Sequence, residues 1–379
     1  MRRKKLKAVV CSEKTRRTLL IPERYCIGIG GGFVFAATAV LDRCKWLEGR
    51  PLRNGLVLTS GLTIEASGGL TMNNSIAMKK LDPGMRVFPV GCIGGTTPGM
   101  PDSAGRFLVG RLMEHGLSAG GLSVVPGQET SFTDVSTVEA ERYFEHSYGA
   151  CARFGRKTFP FKKLKKRSIV MLGYLNLLPL LMANNGREAV ALIKKLQKDG
   201  HYVVIDFTDR YKEGYRELFA ATAGVANLIV TNETSLAKGV GVNVYKGKKL
   251  DAKKLLLAAQ KAIDRNPNLD AVVVHWPNGS LVYTRNHEAL AFPVHQLKGG
   301  DKVGATGAGD NWAVGFLYAM FMRVDLLTAL LIATTAAEKS LGALSATDAS
   351  GSLWQLVRFA KRRKLLKVCR GLKKFCPLK

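Results

Sequence analysis

The sequence predicts an α/β protein, a doubly wound and mostly parallel sheet flanked by helices, with a small β lid. Three observations carry the prediction. From Lys166 onward, short apolar runs and amphipathic runs follow one another in strict turn. The N-terminal half is less regular, with glycine-rich turns and strand-like excursions around two helical patterns. Near the C-terminal third, a turn with almost no side chains, Gly307-Ala308-Gly309, places one carboxylate, Asp310, at the mouth of an apolar helical run.

Taken in order, residues 25–35 (YCIGIGGGFVF) read as a strand running into glycines, and 55–67 (GLVLTSGLTIEAS) as a β excursion. Residues 67–81 read as a glycine turn feeding a helix, 85–91 as a strand, and 101–117 as a helix with Pro101 near its start. Residues 130–147 (TSFTDVSTVEAERYFEHS) alternate like a half-exposed strand pair. Period-2 and period-3.6 segments then alternate: strands at 168–175, 201–206, 226–232 and 270–276, with helices at 186–200, 210–224 and 251–265 between them. That alternation is the mark of β-α-β units in a parallel sheet with right-handed crossovers. SLVYTR and EALAFPV read as two edge strands. Helices follow at 311–322 and 325–344, then a basic amphipathic helix from about Ser350 to about Arg370.

The 379 residues are 46% hydrophobic, enough for a large core and against global disorder. No apolar run spans a bilayer: the run ending at Met322 stops at Arg323 and Asp325, and 168–183 carries Asn176 and Pro179. The basic start lacks the apolar stretch of a secretory signal, so the cytoplasm is the expected location, with organelle targeting by the arm left open. Seven cysteines without a C-x-x-C spacing point to reduced thiols rather than a disulfide frame or a zinc site. The net charge is +28, and three segments (1–17, 156–167 and 355–379) hold 25 basic residues against one acid. A nearly neutral body thus carries three basic segments, a pattern that attracts polyanions such as nucleic acid, anionic lipid or phosphate substrates. The expected organisation is a basic arm at 1–24, a main domain at 25–353 with a lid from 50–67 and 117–146, and a basic helix and tail at 354–379.

The first amides of a helix lack internal partners, and the aligned peptide dipoles make that end positive. Small residues let a phosphate approach those amides closely, so Gly307, Ala308 and Gly309 form an anion hole. Asp310 beside it can accept a proton from an attacking hydroxyl. Phosphoryl transfer needs those two functions side by side. An ordinary helix cap is the plainer account of an acid at this position.

The spaced series around this turn resembles the ribokinase (PfkB) family of carbohydrate and nucleoside kinases. Gly68-Gly69-Leu70-Thr71-Met72-Asn73 resembles the family's Gly-Gly-x-x-x-Asn, and Asp102-Ser103-Ala104-Gly105 its Asp-x-x-Gly. Thr130 to Asp134, Gly149-Ala150, Leu172 to Leu175, Asp206, Asn232-Glu233 and His275 to Gly279 fall in the expected order. The resemblance runs from about Cys26 to about Leu353. It implies a ribokinase-like fold and ATP-dependent phosphorylation of a sugar or nucleoside hydroxyl, with Mg²⁺ and K⁺ as assisting cations. It also implies a homodimer through the lid. Carried over, Asp310 is the general base and Gly307, Ala308 and Gly309 the anion hole. Gly31, Gly32, Gly68, Gly69 and Asn73 face the substrate. Asn232, Glu233, His275, Gly279 and Thr306 line the nucleotide side, with Glu233 the candidate metal ligand.

Four positions depart from the family pattern. The first strand has Ala36 and Ala37 and no acid before Asp42; Asn-x-x-Glu reads Asn232 to Ser235; Gly-Ala-Asn reads Gly149-Ala150-Cys151; and the Asp-Thr ahead of the anion hole reads Gly304-Ala305. Two functions follow. One is a working kinase with an altered acceptor. The other is a degenerate kinase-like protein that binds nucleic acid through its basic segments.

Overall fold

Period-2 alternation in the strands is what builds the molecule's two cores. A computed structural model describes residues 20–26, 30–49, 58–138, 141–209, 213–266, 268–293 and 303–362. Its strands are β1 (Phe33–Ala36), β2 (Val40–Leu47), β3 (Thr59–Gly68), β4 (Val87–Thr97), β5 (Met100–Pro101), β6 (Leu122–Pro126), β7 (Phe132–Val138) and β8 (Glu141–Ser147). They continue with β9 (Ile169–Leu172), β10 (Tyr202–Ile205), β11 (Leu228–Asn232), β12 (Tyr245–Lys246), β13 (Lys249–Leu250), β14 (Ala271–Trp276), β15 (Gly279–Thr284) and β16 (Ala289–Pro293). The helices are α1 (Gly69–Leu81), α2 (Ser103–Glu114), α3 (Pro179–Lys198), α4 (Tyr215–Ala223), α5 (Glu233–Val240), α6 (Ala252–Asp264), α7 (Ala308–Phe321), α8 (Leu326–Ser340) and α9 (Leu353–Arg362).

The large sheet runs β16-β15-β14-β11-β10-β9-β1-β4, with β5 and β6 both on β4. From β14 to β4 the strands are parallel, while β15 and β16 form the antiparallel edge. Successive side chains point to opposite faces. Phe33, Phe35, Met171, Val204, Val230 and Val273 pack against α1, α7 and α8. Val34, Ala36, Val170, Val203, Ile229 and Val272 pack against α3, α4 and α6 on the other side. Continuous apolar strands covered on both faces are what a parallel sheet requires. Helix α7 is buried from Asp310 to Phe321, as its all-round apolar sequence demands.

Several expectations change. The glycine-rich approach is not strand: β1 begins only at Phe33, after Gly31 and Gly32. The small sheet has the order β3-β2-β7-β8. It therefore recruits Val40–Leu47, and residues 117–131 instead send β6 to the edge of the large sheet. Helix α3 breaks at Ala183–Gly186, where Asn184, Asn185 and Gly186 adopt left-handed backbone. The terminal helix is described to Arg362, with Leu356 and Ala360 buried and Trp354 exposed. The expectations for 1–19 and for 363–379 lie outside the described residues. No helix among the described residues is long and apolar enough to cross a membrane.

Phe316 is fully buried and stacks on Trp312 at 5.4 Å. Truncating such a ring leaves a cavity that rigid neighbours fill only in part. Phe316→Ala is expected to cost about 3–5 kcal/mol of stability, measured by urea unfolding; a loss below about 1 kcal/mol would contradict this packing.

Candidate active site

An open cleft of about 610 Å³ lies where the C-terminal ends of the central strands meet the small sheet. Ligands of open α/β sheets bind on this side, at the point where connections depart in opposite directions. Here that point lies between β9 and β1. Thr38 enters from the loop after β1, Tyr174 and Leu177 from that after β9, and Thr208 and Asp209 from that after β10. Gly69 and Asn73 come from α1, and Ala305, Thr306, Gly307 and Asp310 from the approach to α7. The small sheet closes the cleft with three alternating pairs: Val40 and Asp42, Thr133 and Val135, Phe144 and His146. Each pair sits at i and i+2 of its strand, so one face of the lid is presented.

The turns are glycine for steric reasons. Gly69 has φ +75, and a Cβ there would lie 2.4 Å from the Thr38 carbonyl oxygen. At Gly68 a Cβ would fall 2.1–2.3 Å from the Asp42 carboxylate. The Gly-Gly pair thus lets α1 start tightly and leaves room for an acid. Gly307 has φ +72, and its Cβ would meet Ala346 at 2.3 Å. Asn311 rivets this turn, donating to the carbonyls of Gly307 at 2.9 Å and Ala346 at 2.8 Å. Ser350 in turn donates to Asn311 at 2.6 Å.

Asp310 is buried, and two side chains hold it. Asn73 Nδ2 donates to Oδ2 at 2.8 Å, and the Tyr174 hydroxyl donates to Oδ1 at 2.9 Å and Oδ2 at 2.8 Å. Burial pushes its carboxyl up to about 6, against the pull of these two donors. Asp42 is pushed up to about 7 by burial first and then by the charge of Asp310, while Thr133 hydrogen-bonds it. Thr133 also shares a hydrogen bond of 3.0 Å with His146 Nδ1. Asp206, behind the cleft, is held well above the usual carboxylate range by burial and by Asp310. Among the described residues, Asn73 Oδ1 and Thr38 Oγ1 are buried without a hydrogen-bond partner. Together these atoms make an acceptor-rich wall suited to a molecule that offers hydroxyl donors.

The structure brings Gly68, Gly69, Asn73, Thr306, Gly307 and Asp310 together. Ala308 and Gly309 form the first turn of α7 just behind the cleft, where a Cβ at Gly309 would lie 3.1 Å from His275. His275 packs on Trp312 at 5.1 Å, and burial lowers its pKa to about 4, so it is neutral. Gly279 lies under the Trp276 ring at the β14–β15 turn, where a Cβ would approach that ring to 2.5 Å. Asn232 caps α5 by accepting from the Ser235 amide at 2.7 Å, and Glu233 accepts from the Tyr245 hydroxyl at 2.7 Å. Gly31 and Gly32 are corrected: they sit at the opposite end of β1 from the cleft. Their bare backbone lets the chain pass Lys166 and Arg86, where a Cβ would lie 2.5 Å and 2.4 Å from the respective carbonyl oxygens.

No acid precedes Asp42 in the first-strand segment, but the structure places Asp42 itself on the cleft wall. Asp42 faces the cleft because its loop is short and β2 swings it over Gly68. Its signal was present as the bare Gly68 and the alternation of Val40 and Asp42. Tyr174 carried no signal, since its role depends on a contact across 136 residues of chain.

Among the described residues no group of three or more His, Cys, Asp or Glu could hold a metal ion. Asp209 is the acid whose charge reaches Glu233, and these two fall short of such a group, so the described side chains alone do not make a site for Mg²⁺ or K⁺. Gly304, at the expected cation loop, packs on the backbone of Ala343 and Leu344. Gly307 brings the start of α7 to the cleft with no side chain in the way, a setting in which helix starts take up anions.

Comparison with known proteins bears on the family and the fold. Residues 58–351 match the profile described as pfkB family carbohydrate kinase. Over 84 residues the chain is 37% identical to a 5-dehydro-2-deoxygluconokinase of Lacticaseibacillus casei, a match covering 22% of this chain and 25% of that relative. The matched stretch is therefore about a quarter of the relative's length. Ribokinase of Arabidopsis thaliana, solved with ribose and ATP, superposes with a TM-score of 0.68 at 18% identity, covering 87% of this chain and 99% of that one. Ribokinase of Giardia lamblia gives 0.70 at 16% identity over 88% and 99%. Fructokinase of Vibrio cholerae, in a form with fructose, ADP and calcium ion bound, gives 0.65 at 20% identity over 87% and 99%. The fold is that of the ribokinases.

A carboxyl raised on folding binds more protons in the native than in the unfolded chain between its two pKa values. Stability therefore falls as pH rises from about 4 to about 7 through Asp42. Asp42→Asn removes that loss. It is expected to melt higher than the parent at pH 8 and nearer to it at pH 5, by calorimetry; a variant that melts lower at pH 8 would contradict the buried charge.

Proposed function

This chain belongs to the pfkB family of carbohydrate kinases, and from that premise we propose that it transfers the γ-phosphoryl group of ATP to a hydroxyl of a sugar or nucleoside-like molecule. One observation carries the proposal: Asp310 is buried, held by two donors and aimed into a cleft directly beside a bare helix start. In this reading Asp310 takes the proton of the acceptor hydroxyl. The acceptor oxygen bonds the γ-phosphorus, the bond from phosphorus to the bridging oxygen breaks, and ADP leaves. The amides of Gly307, Ala308 and Gly309 stabilise the charge on the moving phosphoryl group. Asp42, Asn73 Oδ1 and Thr38 Oγ1 accept from the acceptor's other hydroxyls. Two carboxylates at that end repel a further negative charge, which favours a neutral acceptor over a sugar acid or sugar phosphate. Thr306 and the Asn232–Glu233 and His275–Gly279 ends of β11 and β14 stand on the nucleotide side.

ATP as donor is supported by relatives solved with ATP or ADP. A dimer through the lid is supported by exposed Leu62 and Ile64 on β3. The rival reading, nucleic-acid binding through basic segments, has no comparable observation behind it. Of the 156–167 segment, Arg156 is already turned onto Glu188 at 3.0 Å.

The test is phosphate transfer from ATP, with Mg²⁺ and K⁺ supplied, to a panel of neutral sugars, nucleosides and sugar acids. Asp310→Asn is expected to lose about 10²–10⁴-fold in kcat/KM while ATP affinity is unchanged. The parent rate should fall as pH drops below about 6, where Asp310 protonates. Equal activity in the variant would sink the assignment.

A further inference from the structure

We propose that Tyr174 is a positioning residue for Asp310: its phenol, bound to both carboxylate oxygens, aims the base and leaves Oδ1 as the oxygen that receives the acceptor's proton. The proposal rests on the kinase reading for its catalytic consequence, though not for the contact itself.

The geometry divides the two oxygens. Oδ2 accepts from Asn73 at 2.8 Å and from Tyr174 at 2.8 Å, whereas Oδ1 accepts only from Tyr174, at 2.9 Å. Two donors on Oδ2 occupy the directions from which a third would arrive, so an incoming hydroxyl finds its free lone pair on Oδ1. The backbone is bent to achieve this. Tyr174 has φ 51 and ψ 37, left-handed for a bulky residue, a conformation that costs of order 1–3 kcal/mol and persists only where surroundings enforce it. The surroundings are specific. A Cβ at the preceding Gly173 would lie 1.9 Å from Leu70 Cδ1, so the chain runs hard against α1 at this point. Leu177 N then donates back to the Tyr174 carbonyl at 2.7 Å, and Leu175 N to that of Asp206 at 3.4 Å. The tight turn throws the ring across the cleft floor to α7.

Burial explains why a donor is needed there: it is what raises Asp310. Asp42 faces Asp310 from the lid and Asp206 from the end of β10, and the charge of Asp310 in turn raises both. Asp209 and His146 stand further along the cleft walls. Among the described residues Asn73 and Tyr174 are the donors that favour the ionised carboxylate. Tyr174 itself is held well above its ordinary range by burial and by Asp310, Asp206 and Asp42, so it donates and does not exchange its proton. During transfer the acceptor proton passes to Oδ1 as its oxygen bonds phosphorus and the bridging bond breaks; the phenol stays protonated throughout.

The experiment is a carboxyl titration by ¹³C NMR on full-length protein labelled at aspartate Cγ, with the Asp310 signal identified by its loss in Asp310→Asn. Tyr174→Phe keeps the ring and removes the donor. The Asp310 midpoint is expected to rise by about 1, and the acid limb of kcat/KM to move with it. The variant would then be about fivefold slower than the parent near pH 6, approaching tenfold below about pH 5, and close to it above about pH 8. An unmoved midpoint, or a loss equal at every pH, overturns the proposal and leaves Tyr174 a packing residue. If Tyr174→Phe does not fold, fluorotyrosine placed at position 174 gives the opposite arm: a stronger donor should lower the midpoint, and no movement overturns the proposal equally. The titration reads Asp310 whether or not any acceptor is phosphorylated, so failure of the kinase reading shows in the acceptor panel and failure of this one in the midpoint.

Discussion

The structure depends on keeping one carboxylate ionisable at the buried start of an apolar helix, on the floor of the cleft. Asp310 opens a helix that is buried along nearly its whole length, where an unpaired charge would be prohibitive. Its two donors come from different places, Asn73 from the second turn of α1 and Tyr174 from the loop after β9. Three elements distant in sequence are thereby locked at one point. The bare turns follow from the same demand: Gly69 lets α1 begin close enough to Thr38, Gly173 lets the β9 loop pass Leu70, and Gly307 lets α7 begin against Ala346. Each glycine removes a clash that would otherwise push a donor or the acid away.

A second acid raises the cost. Asp42 lies close enough for the charge of Asp310 to raise its pKa further, and the lid, not the core, carries it. The small sheet runs into the large domain at Gly68, the end of β3 and start of α1, and Thr71 fixes that helix on the large sheet, its Oγ1 donating to the Val90 carbonyl at 2.8 Å and accepting from the Ala37 amide at 2.9 Å. The large apolar layers on both sheet faces supply the stability that the cleft gives away. At the C-terminal edge of the sheet the left-handed Tyr174 and the buried Asp42, Asp206 and Asp310 come together, where a ligand can reach them.

Much of this was legible beforehand. Period alternation from Lys166 onward located β9, β10, β11 and β14 with α3, α4 and α6 because a parallel sheet writes its burial directly into apolar runs; the short α5 and the β12–β13 hairpin were not read. Gly307 to Asp310 was legible because a helix start with no side chains has few uses. The errors have physical reasons. Gly31 and Gly32 looked like ligand glycines, yet close backbone approach at the wrong end of β1 asks for the same residue. Val40–Leu47 was missed as a lid strand because its partners, β3 and β7, lie on both sides of it through non-local pairing, which no local pattern reports. Tyr174 was placed correctly in order but without a role, since a hydrogen bond to Asp310 cannot be read from either segment alone.

Charge sorts the two ends of the cleft. The whole chain is strongly basic, which draws a polyphosphate toward it from beyond contact range, out to a Debye length of roughly 8 Å in physiological salt. Within the cleft the sign reverses: Asp42 and Asp310 face the acceptor, and the positive pole available is the start of α7. A nucleotide phosphate can therefore settle at Gly307–Gly309 but not beside Asp42. A polyol can settle beside Asp42 and Asn73, where acceptor atoms wait for its hydroxyls. On the proposed kinase reading the reacting hydroxyl would be forced to the boundary between the two regions, which Asp310 lines. Position of the proposed base, rather than any single strong contact, would then be what turns a bipolar cleft into a site for phosphoryl transfer.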